Sequence, residues 1–339
     1  MTTTAAPDVL AIAMQLMATE STTGNEGRVI TVAEGILTEL GWNVRRIPVT
    51  PGRDNLLAHG AKPVEVVFST HLDTVPPYHP PHIEGDRLLG RGACDAKGIA
   101  AAMICAATAL RDQGMAAGVL LVVGEEAPHD GAIAANQVKN QCKVLINGEP
   151  TESKLGIGTK GALRCTITTR GKAAHSAYPE LGVSATSQLV KLLTELESLE
   201  LPTHPVLGTT TVNIGGLAGG VADNVVAPDA TARLMIRIVT PGNDTIALLR
   251  NWLGDRGELV VETIVQPVLL GSVAGFETDV VAYATDVPEL SNWGTPYLFG
   301  PGSIHVAHTD HEYIEIAELR ASVDAYQRLA RAAYAPHHR

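Results

Sequence analysis

Five short segments of the chain carry side chains that could bind metal ions or move protons. The candidates are histidines and carboxylates, and they are His71 and Asp73 in STHLDTVP, Asp95 in GRGACDAKG, Glu125 and Glu126 in VVGEEAPHDG, Glu149 in INGEPT and His308 in GPGSIHVAHTDHE. Neutral imidazoles and carboxylates without thiolates suit Zn²⁺, Mn²⁺ or Co²⁺ at an open catalytic site. One tetrahedral zinc ion has no need of so many carboxylates, whereas two ions about 3.5–4 Å apart can share one of them. The pattern therefore predicts a pair of divalent ions.

The adjacent Glu125 and Glu126 indicate two different tasks for neighbouring carboxylates. Successive side chains on an extended chain point to opposite sides, so one glutamate can bind metal while the other faces the substrate. A carboxylate beside an activated water molecule is a good general base. The spacing alone leaves open which glutamate takes which task.

Buried strands and helices must bring these segments together. Residues 64–69 (VEVVFS), 118–123 (GVLLVV) and 143–146 (KVLI) are short apolar runs typical of buried strands, and each precedes one of the segments. Helical spacing of apolar residues predicts a helix over 26–40. The alanine-rich run 97–111, which contains no proline, predicts a buried helix. Strands that alternate with helices indicate a largely parallel sheet, in which ligands gather at the carboxyl ends of strands.

The middle of the chain has a different pattern. Residues 158–265 predict the order β, α, β, β, α, β, which indicates an antiparallel sheet with two helices on one face, a ferredoxin-like α+β arrangement. A final helix is predicted over 316–334. We therefore expect an α/β catalytic domain formed by residues 1–157 and 266–339, with a smaller domain, residues 158–265, inserted into it.

Composition and charge exclude several classes of function. The 339 residues are 45% hydrophobic and 18% charged, as in globular proteins, and the net charge of −11 argues against a nucleic-acid partner. No apolar run approaches the roughly 20 residues of a membrane span, and the first 20 residues predict an amphipathic helix and not a signal peptide. The four cysteines include no CxxC pair. We expect a cytoplasmic protein that contacts neither membrane nor nucleic acid.

Other histidines near the five segments are interpreted as bystanders. They lie in loops that contain proline, aspartate or the GPGS turn, and they are His79, His82, His129, His305 and His311. We expect the first three to be solvated. The two that flank His308 are not expected to bind metal.

The order of the motifs resembles that of the dinuclear-zinc aminoacylase and exopeptidase family. This family includes acetylornithine deacetylase, succinyl-diaminopimelate desuccinylase and the glutamate-releasing carboxypeptidases. Its pattern of His-x-Asp, a G-x-G-x-x-D turn, Glu-Glu, a GEPT segment and a late histidine occurs in order between His71 and His308. The segment FGPGSIHVAHTDHEYIEIAEL looks most like the acetylornithine and acetylcitrulline deacetylase branch, and Thr285 and Asp286 match a Thr-Glu or Thr-Asp pair of the family.

The resemblance implies a zinc-exopeptidase fold and two ion sites that share a carboxylate. His71 and Glu149 would bind one ion, and Glu126 and His308 would bind the other. Asp95 would bridge the two ions. Zinc is the expected metal, with cobalt and manganese as alternatives.

The resemblance also implies roles for five further residues. Asp73 would orient the ligating His71, and Glu125 would take a proton from the attacking water and deliver it to the leaving amine. The segment GKAAHSAYPELGVSA resembles the lid of the family, whose histidine, His175 here, would reach the partner subunit's site and stabilise the oxyanion. Asn224 and Arg237 would hold the substrate carboxylate. A homodimer is therefore expected, with residues 158–265 as lid and dimerisation domain.

The predicted function is metal-dependent hydrolysis of the amide bond of a small N-acylated amino acid, as in arginine or lysine biosynthesis. Three alternatives share the same site: release of lysine or ornithine from an amino-group carrier protein, succinyl-diaminopimelate desuccinylation, and a dipeptidase or carboxypeptidase activity. A metal-free scaffold dimer and a thiol hydrolase that uses Cys94 are the alternatives outside this chemistry.

Overall fold

The computed structural model describes residues 6–335 and divides into two compact units. Unit 1 comprises Met1–Ile157, Leu270–Asp279 and Thr285–Arg339, within the described range. Unit 2 comprises Gly158–Leu269 and Val280–Ala284. Each unit has its own sheet and its own hydrophobic core. Within residues 6–335, no helix combines the length and the apolar character that are needed to cross a membrane.

Unit 1 is built on a mixed sheet. The strands of unit 1 are β1 (Asn43–Thr50), β2 (Arg53–His59), β3 (Val66–His71), β4 (His82–Glu84), β5 (Arg87–Leu89), β6 (Ala117–Val122), β7 (Val144–Asn147), β8 (Leu155–Thr159), which continues into unit 2, β16 (Thr278–Val281), which also crosses the boundary, β17 (Thr295–Leu298) and β18 (Tyr313–Glu315). Strands β18, β5 and β4 form a separate three-stranded sheet. The order in the main sheet is β1-β2-β6-β3-β7-β17-β8. The four central strands β6, β3, β7 and β17 are parallel, and the outer pairs are antiparallel. The predicted α/β class is confirmed, with a parallel centre and antiparallel edges.

Helices cover the sheet of unit 1. They are α1 (Val9–Met17), α2 (Gly27–Glu39), α3 (Lys97–Asp112), α4 (Asp130–Ala135) and α7 (Ile316–Tyr334). The alanine-rich α3 is buried over nearly its whole length, because its small side chains allow α1, α7, β3 and β6 to approach it closely. Tyr326 of α7 packs edge-on against Phe68 and Phe299, with ring centroids 6.0 and 5.1 Å away. The core therefore uses many small side chains and few aromatic ones.

Unit 2 is an antiparallel sheet with two helices on one face. The strands of unit 2 are β9 (Gly161–Arg170), β10 (Thr203–His204), β11 (Gly208–Thr209), β12 (Thr211–Gly219), β13 (Asp229–Ile238), β14 (Glu258–Val265) and β15 (Val268–Leu269). Its helices are α5 (Ala185–Glu197) and α6 (Gly242–Leu253). The sheet order is β12-β13-β9-β14. Alternate residues of β9, among them Leu163, Cys165 and Ile167, pack against the helices. The predicted ferredoxin-like order is confirmed, with the short hairpin β10–β11 added to it.

Candidate metal and catalytic site

The parallel centre of the unit 1 sheet gathers the candidate residues at one edge. Strands β6, β3 and β7 are parallel neighbours, so their carboxyl ends lie side by side. His71 is the last residue of β3, and Glu126 and Glu149 follow β6 and β7 after short turns. Asp95 precedes α3, and His308 lies in the loop between β17 and β18. Segments that are distant in sequence therefore converge on this edge.

The five predicted metal ligands form two groups that share Asp95. Ligand atoms of His71, Asp95 and Glu149 lie within 4.8 Å of one another, and so do those of Asp95, Glu126 and His308. The Nε2 atom of His71 is 3.1 Å from Oδ1 of Asp95, and Nε2 of His308 is 3.1 Å from Oδ2. Nε2 of His308 is also 2.9 Å from Oε1 of Glu126. The two oxygens of Asp95 thus face different histidines, as a carboxylate shared by two ions requires.

The residues present fit a pair of divalent ions. The Oε1 atom of Glu149 is buried and finds no hydrogen-bond partner within residues 6–335. Burial raises the pKa of Glu149 well above its ordinary value. An ionised carboxylate in such a place is costly unless a cation compensates it. Imidazole and carboxylate are the donors that Zn²⁺, Co²⁺ and Mn²⁺ accept.

Asp73 fixes both His71 and the two glutamates. Nδ1 of His71 donates to the backbone carbonyl of Asp73 at 2.9 Å, and Oδ1 of the carboxylate lies 3.5 Å from the same ring nitrogen. Because a carbonyl only accepts, Nδ1 carries a hydrogen, and Nε2 is the ring nitrogen that faces Asp95 and can bind a metal ion when the ring is neutral. The Asp73 carboxylate accepts the backbone N–H groups of Glu125 and Glu126 at 3.1 and 3.2 Å, and the hydroxyl of Thr23 at 2.8 Å. Asp73 therefore fixes more of the site than the orientation of His71.

Glu125 belongs to neither of the two groups that share Asp95. Burial, and after it the negative charge of Glu149, raise the pKa of Glu125 well above its ordinary value. A carboxyl group with a raised pKa beside metal ligands is suited to accept a proton and to return it. Its position thus differs from that of its neighbour Glu126, although the two are adjacent in sequence.

The structure adds a histidine that sequence reasoning missed. The expectation that His129 is solvated is wrong, because its side chain is only 20% exposed. Nδ1 of His129 lies 2.9 Å from Oδ1 of Asp286, whose side chain is 2% exposed. Ligand atoms of Glu125, His129 and Asp286 lie within 4.8 Å of one another. No local sequence signal marks this contact, since 157 positions separate the two partners.

A second missed feature is the buried ion pair behind Asp95. Oε1 of Glu312 accepts the backbone N–H groups of Cys94 and Asp95, both at 3.2 Å. Oε2 accepts from Nη1 of Arg91 at 2.8 Å, and both side chains are 1% exposed. Glu312 therefore holds the backbone of the residue that both ligand groups share.

In unit 2, the structure places His175 beside Asn224. His175 forms an isolated bridge with Val225, and the N–H of Ser176 donates to the carbonyl of Asn224 at 2.9 Å. Nδ1 of His175 accepts the N–H of Ala177 at 3.1 Å. The two predicted residues are therefore neighbours in one chain.

Arg237 lies at the other end of β13. It stands eight positions beyond Asp229, at which the strand begins, or about 26 Å of extended chain. Asn224 lies in the connection between β12 and the start of β13, so Arg237 is at the far end of the strand from it. That both residues bind the substrate carboxylate stays a prediction. Burial, and after it the like charge of Arg164, lower the pKa of Arg237. Within residues 6–335 no carboxylate lies at ion-pair distance from Arg237.

Comparisons with known proteins agree with this architecture. A family model described as the peptidase dimerisation domain matches residues 157–258. A peptidase M20 domain-containing protein of Schizosaccharomyces pombe is 38% identical, over 96% of this chain and 84% of its own length. A protein of Neosartorya fischeri named a probable carboxypeptidase is 34% identical, over 97% of this chain and 87% of its own length. The chain belongs to the M20 peptidase family, and it is a hydrolase of that metallopeptidase family.

Solved structures support the fold. A tripeptidase from Staphylococcus aureus aligns with a TM-score of 0.78 at 19% identity, over 95% of this chain and 98% of that one. A metallo-carboxypeptidase of the M20 family from Sulfolobus solfataricus aligns with a TM-score of 0.72 at 18% identity, over 96% of this chain and 99% of that one. A dinuclear metal-binding peptidase of the family from Bacillus subtilis aligns with a TM-score of 0.73 at 13% identity, over 95% of this chain and 96% of that one. At these identities the similarity establishes the M20 fold.

Proposed function

We propose that the protein is a dinuclear-metal exopeptidase that releases an amino acid from a dipeptide or another short peptide. The observation that carries this proposal is the shared Asp95, whose two oxygens face two separate ligand groups. The carboxypeptidase name of the Neosartorya relative supports a peptide substrate. The Bacillus structure, a dinuclear metal-binding peptidase, supports two ions.

The residues of unit 1 would hold the metal pair. His71 and Glu149 would bind one ion, Glu126 and His308 the other, and Asp95 both. Two divalent ions, zinc or alternatively cobalt or manganese, supply polarisation of the scissile carbonyl and acidification of a water molecule.

The proton transfers in this proposal belong to Glu125. Its carboxylate accepts a proton from the attacking water and delivers it to the leaving amine, so a single group serves as base and then as acid. The second step is favourable in direction because an amine binds a proton more firmly than a carboxylate does. Asp73 keeps Glu125 and Glu126 in place through their backbone N–H groups.

The residues of unit 2 would act across a homodimer. The match of residues 157–258 to the peptidase dimerisation domain supports a dimer. His175 of the partner subunit would stabilise the oxyanion, with Asn224 of that subunit beside it. Arg237, which has no acidic partner within residues 6–335, would bind the substrate carboxylate as a fork. Its separation from Asn224 is the reason to assign the two residues to different subunits.

A second candidate is an N-acyl-amino-acid deacylase, such as an acetylornithine or acetylcitrulline deacetylase of arginine or lysine biosynthesis. The segment FGPGSIHVAHTDHE favours it. Both candidates break an amide bond and release an amino acid, so the same residues serve either one.

Amine release from a panel of dipeptides, tripeptides, and N-acetyl and N-succinyl amino acids distinguishes these candidates. We expect the peptides to be cleaved fastest, with activity lost on chelation and restored by Zn²⁺, Co²⁺ or Mn²⁺. Faster turnover of N-acetylornithine or N-acetylcitrulline would establish the deacylase instead. Full activity after complete chelation would contradict both. No turnover of any of these substrates with two ions bound would contradict the proposal that the substrate is a small molecule. It would favour an amino acid attached to a carrier protein.

A further inference from the structure

A third group of potential ligands lies beside the two that share Asp95. It consists of Glu125, His129 and Asp286, and it is one of three such groups found within residues 6–335. Two carboxylates and an imidazole are a donor set that a borderline ion such as Zn²⁺ accepts, whereas Mg²⁺ prefers oxygen donors. Neither His129 nor Asp286 has a task in the proposed reaction.

The geometry of this group matches that of the proposed catalytic ligands. Nδ1 of His129 faces a carboxylate oxygen of Asp286 at 2.9 Å. The corresponding nitrogen–oxygen distances are 3.1 Å for His71 with Asp95 and 2.9 Å for His308 with Glu126. Ligands around a tetrahedral ion with bonds of about 2.0–2.1 Å lie little more than 3 Å apart. An ion can therefore enter this group with small side-chain movements.

The group is built into the fold and not formed by mobile surface side chains. The Asp286 side chain is 2% exposed, and Val287 after it begins a short 3₁₀ helix. His129 is held by its own N–H, which donates to the carbonyl of Gly124 at 2.7 Å, and it immediately precedes α4. The carboxylates of Glu125 and Asp286 are brought within 4.8 Å of each other and of the His129 imidazole, where a bound cation would offset the repulsion between two negative charges.

We propose that Glu125, His129 and Asp286 form a third divalent-cation site, which inhibits the enzyme when it is filled. The inhibition rests on the role of Glu125 in the proposed function. A cation bound to the Glu125 carboxylate competes with the proton for its oxygens and lowers its basicity, so Glu125 accepts a proton from the attacking water less readily. The site would take Zn²⁺ or a similar ion once the two groups that share Asp95 are filled.

Ion binding and turnover can be measured together to test this site. Purified protein is dialysed against Zn²⁺ from two equivalents to a large excess, the ions per chain are counted by mass spectrometry, and amine release from a dipeptide is followed. We expect the third ion to bind as turnover falls by about 10²-fold or more, which is the typical contribution of a general base.

The variant that removes the site is His129→Asn, because asparagine tolerates the left-handed backbone at this position, where φ is 66°. We expect it to bind one ion fewer than the wild type in excess Zn²⁺ and to escape the inhibition. His79→Asn is the matched control, since it removes a surface histidine that faces Asp310 at 3.3 Å, and it should keep the third ion. Asp286→Asn is the second variant if His129→Asn does not fold.

The outcomes are separable. Equal ion counts in the wild type and His129→Asn, or equal inhibition of both by Zn²⁺, would overturn the third site. Absence of turnover at two equivalents would count against the proposed function, but the difference in ion count would still decide this site.

Discussion

Glu125 and Glu126 are adjacent in the chain, yet the structure gives their carboxylates different surroundings. Glu126 lies 2.9 Å from His308 and shares a ligand group with Asp95, whereas Glu125 lies outside both groups. The carboxylate of Asp73 accepts both of their backbone N–H groups, so the direction of the chain is fixed at this point. Two neighbouring residues of the same type can therefore bind metal and move protons separately.

The substitution Glu125→Gln tests this separation. Glutamine keeps the shape of the side chain but cannot accept a proton, so we expect kcat to fall by about 10²–10⁴-fold with two ions still bound. Steady-state kinetics and metal analysis of the same sample measure both. Glu126→Gln is the control, and it should lose an ion as well as activity. Near-normal turnover of Glu125→Gln would contradict the assignment of the base.

At the scale of elements, the loop before α3 depends on a partner from the far end of the chain. Arg91 and Glu312 are 221 positions apart, and they form a buried ion pair that receives the N–H groups of Cys94 and Asp95. Hydrogen bonds to an ionised acceptor are stronger than neutral ones, so this pair stabilises the position of Asp95. Asp95, the proposed shared ligand, is thus held in position by Glu312 in the loop that precedes β18.

The substitution Glu312→Gln should leave the guanidinium of Arg91 buried without its counter-charge. We expect the free energy of unfolding to fall by about 3–5 kcal/mol, as for other broken buried pairs. Urea denaturation in the presence of a chelator measures this without a contribution from bound metal. Glu315→Gln removes the exposed pair with Arg87 and should change the stability little. Equal effects of the two substitutions would show that the buried pair has no special role.

The segment that follows β17 must also approach the Glu149 segment closely. A Cβ atom on Gly300 would stand 2.3 Å from the carbonyl oxygen of Glu149, so no larger residue fits there without movement. We expect Gly300→Ala to lower the free energy of unfolding by about 1–3 kcal/mol and to reduce the bound metal. Gly35→Ala, in the exposed interior of α2 with open space around it, should raise stability by about 0.5–1 kcal/mol. Thermal denaturation and metal analysis compare the two, and unchanged metal content in Gly300→Ala would contradict the first expectation.

At the scale of the whole molecule, the predictable parts are those that depend on local pattern. The final helix over 316–334 and the β, α, β, β, α, β order of residues 158–265 follow from periodicity, and both are confirmed. The hairpin of β1 and β2 was missed, because NVRRIPVT is a largely exposed edge strand with a proline and two arginines. The contacts of His129 with Asp286 and of Arg91 with Glu312 could not be predicted from the sequence, since no local pattern marks partners so far apart in the chain.

The proposed dimer leads to a prediction of complementation between inactive subunits. If His175 acts in the partner's site, a His175→Ala chain keeps a usable metal site, and a Glu125→Gln chain keeps a usable His175. Mixed and reassociated variants should recover about a quarter of the wild-type activity, because half of the dimers are mixed and each has one complete site. Assays of the mixture against each variant alone, with sedimentation to confirm dimers, measure this. No recovery in dimers that have exchanged subunits would contradict action across the dimer.

In the proposed function, Asp95 joins two metal sites that are both needed for peptide hydrolysis. Its most direct test is a stepwise return of Zn²⁺ to chelated enzyme, with ions per chain and amine release from a dipeptide measured at each step. We expect turnover to be negligible without metal and to reach its maximum when two ions are bound per chain. Full turnover without metal, or a maximum already reached with one ion, would contradict it.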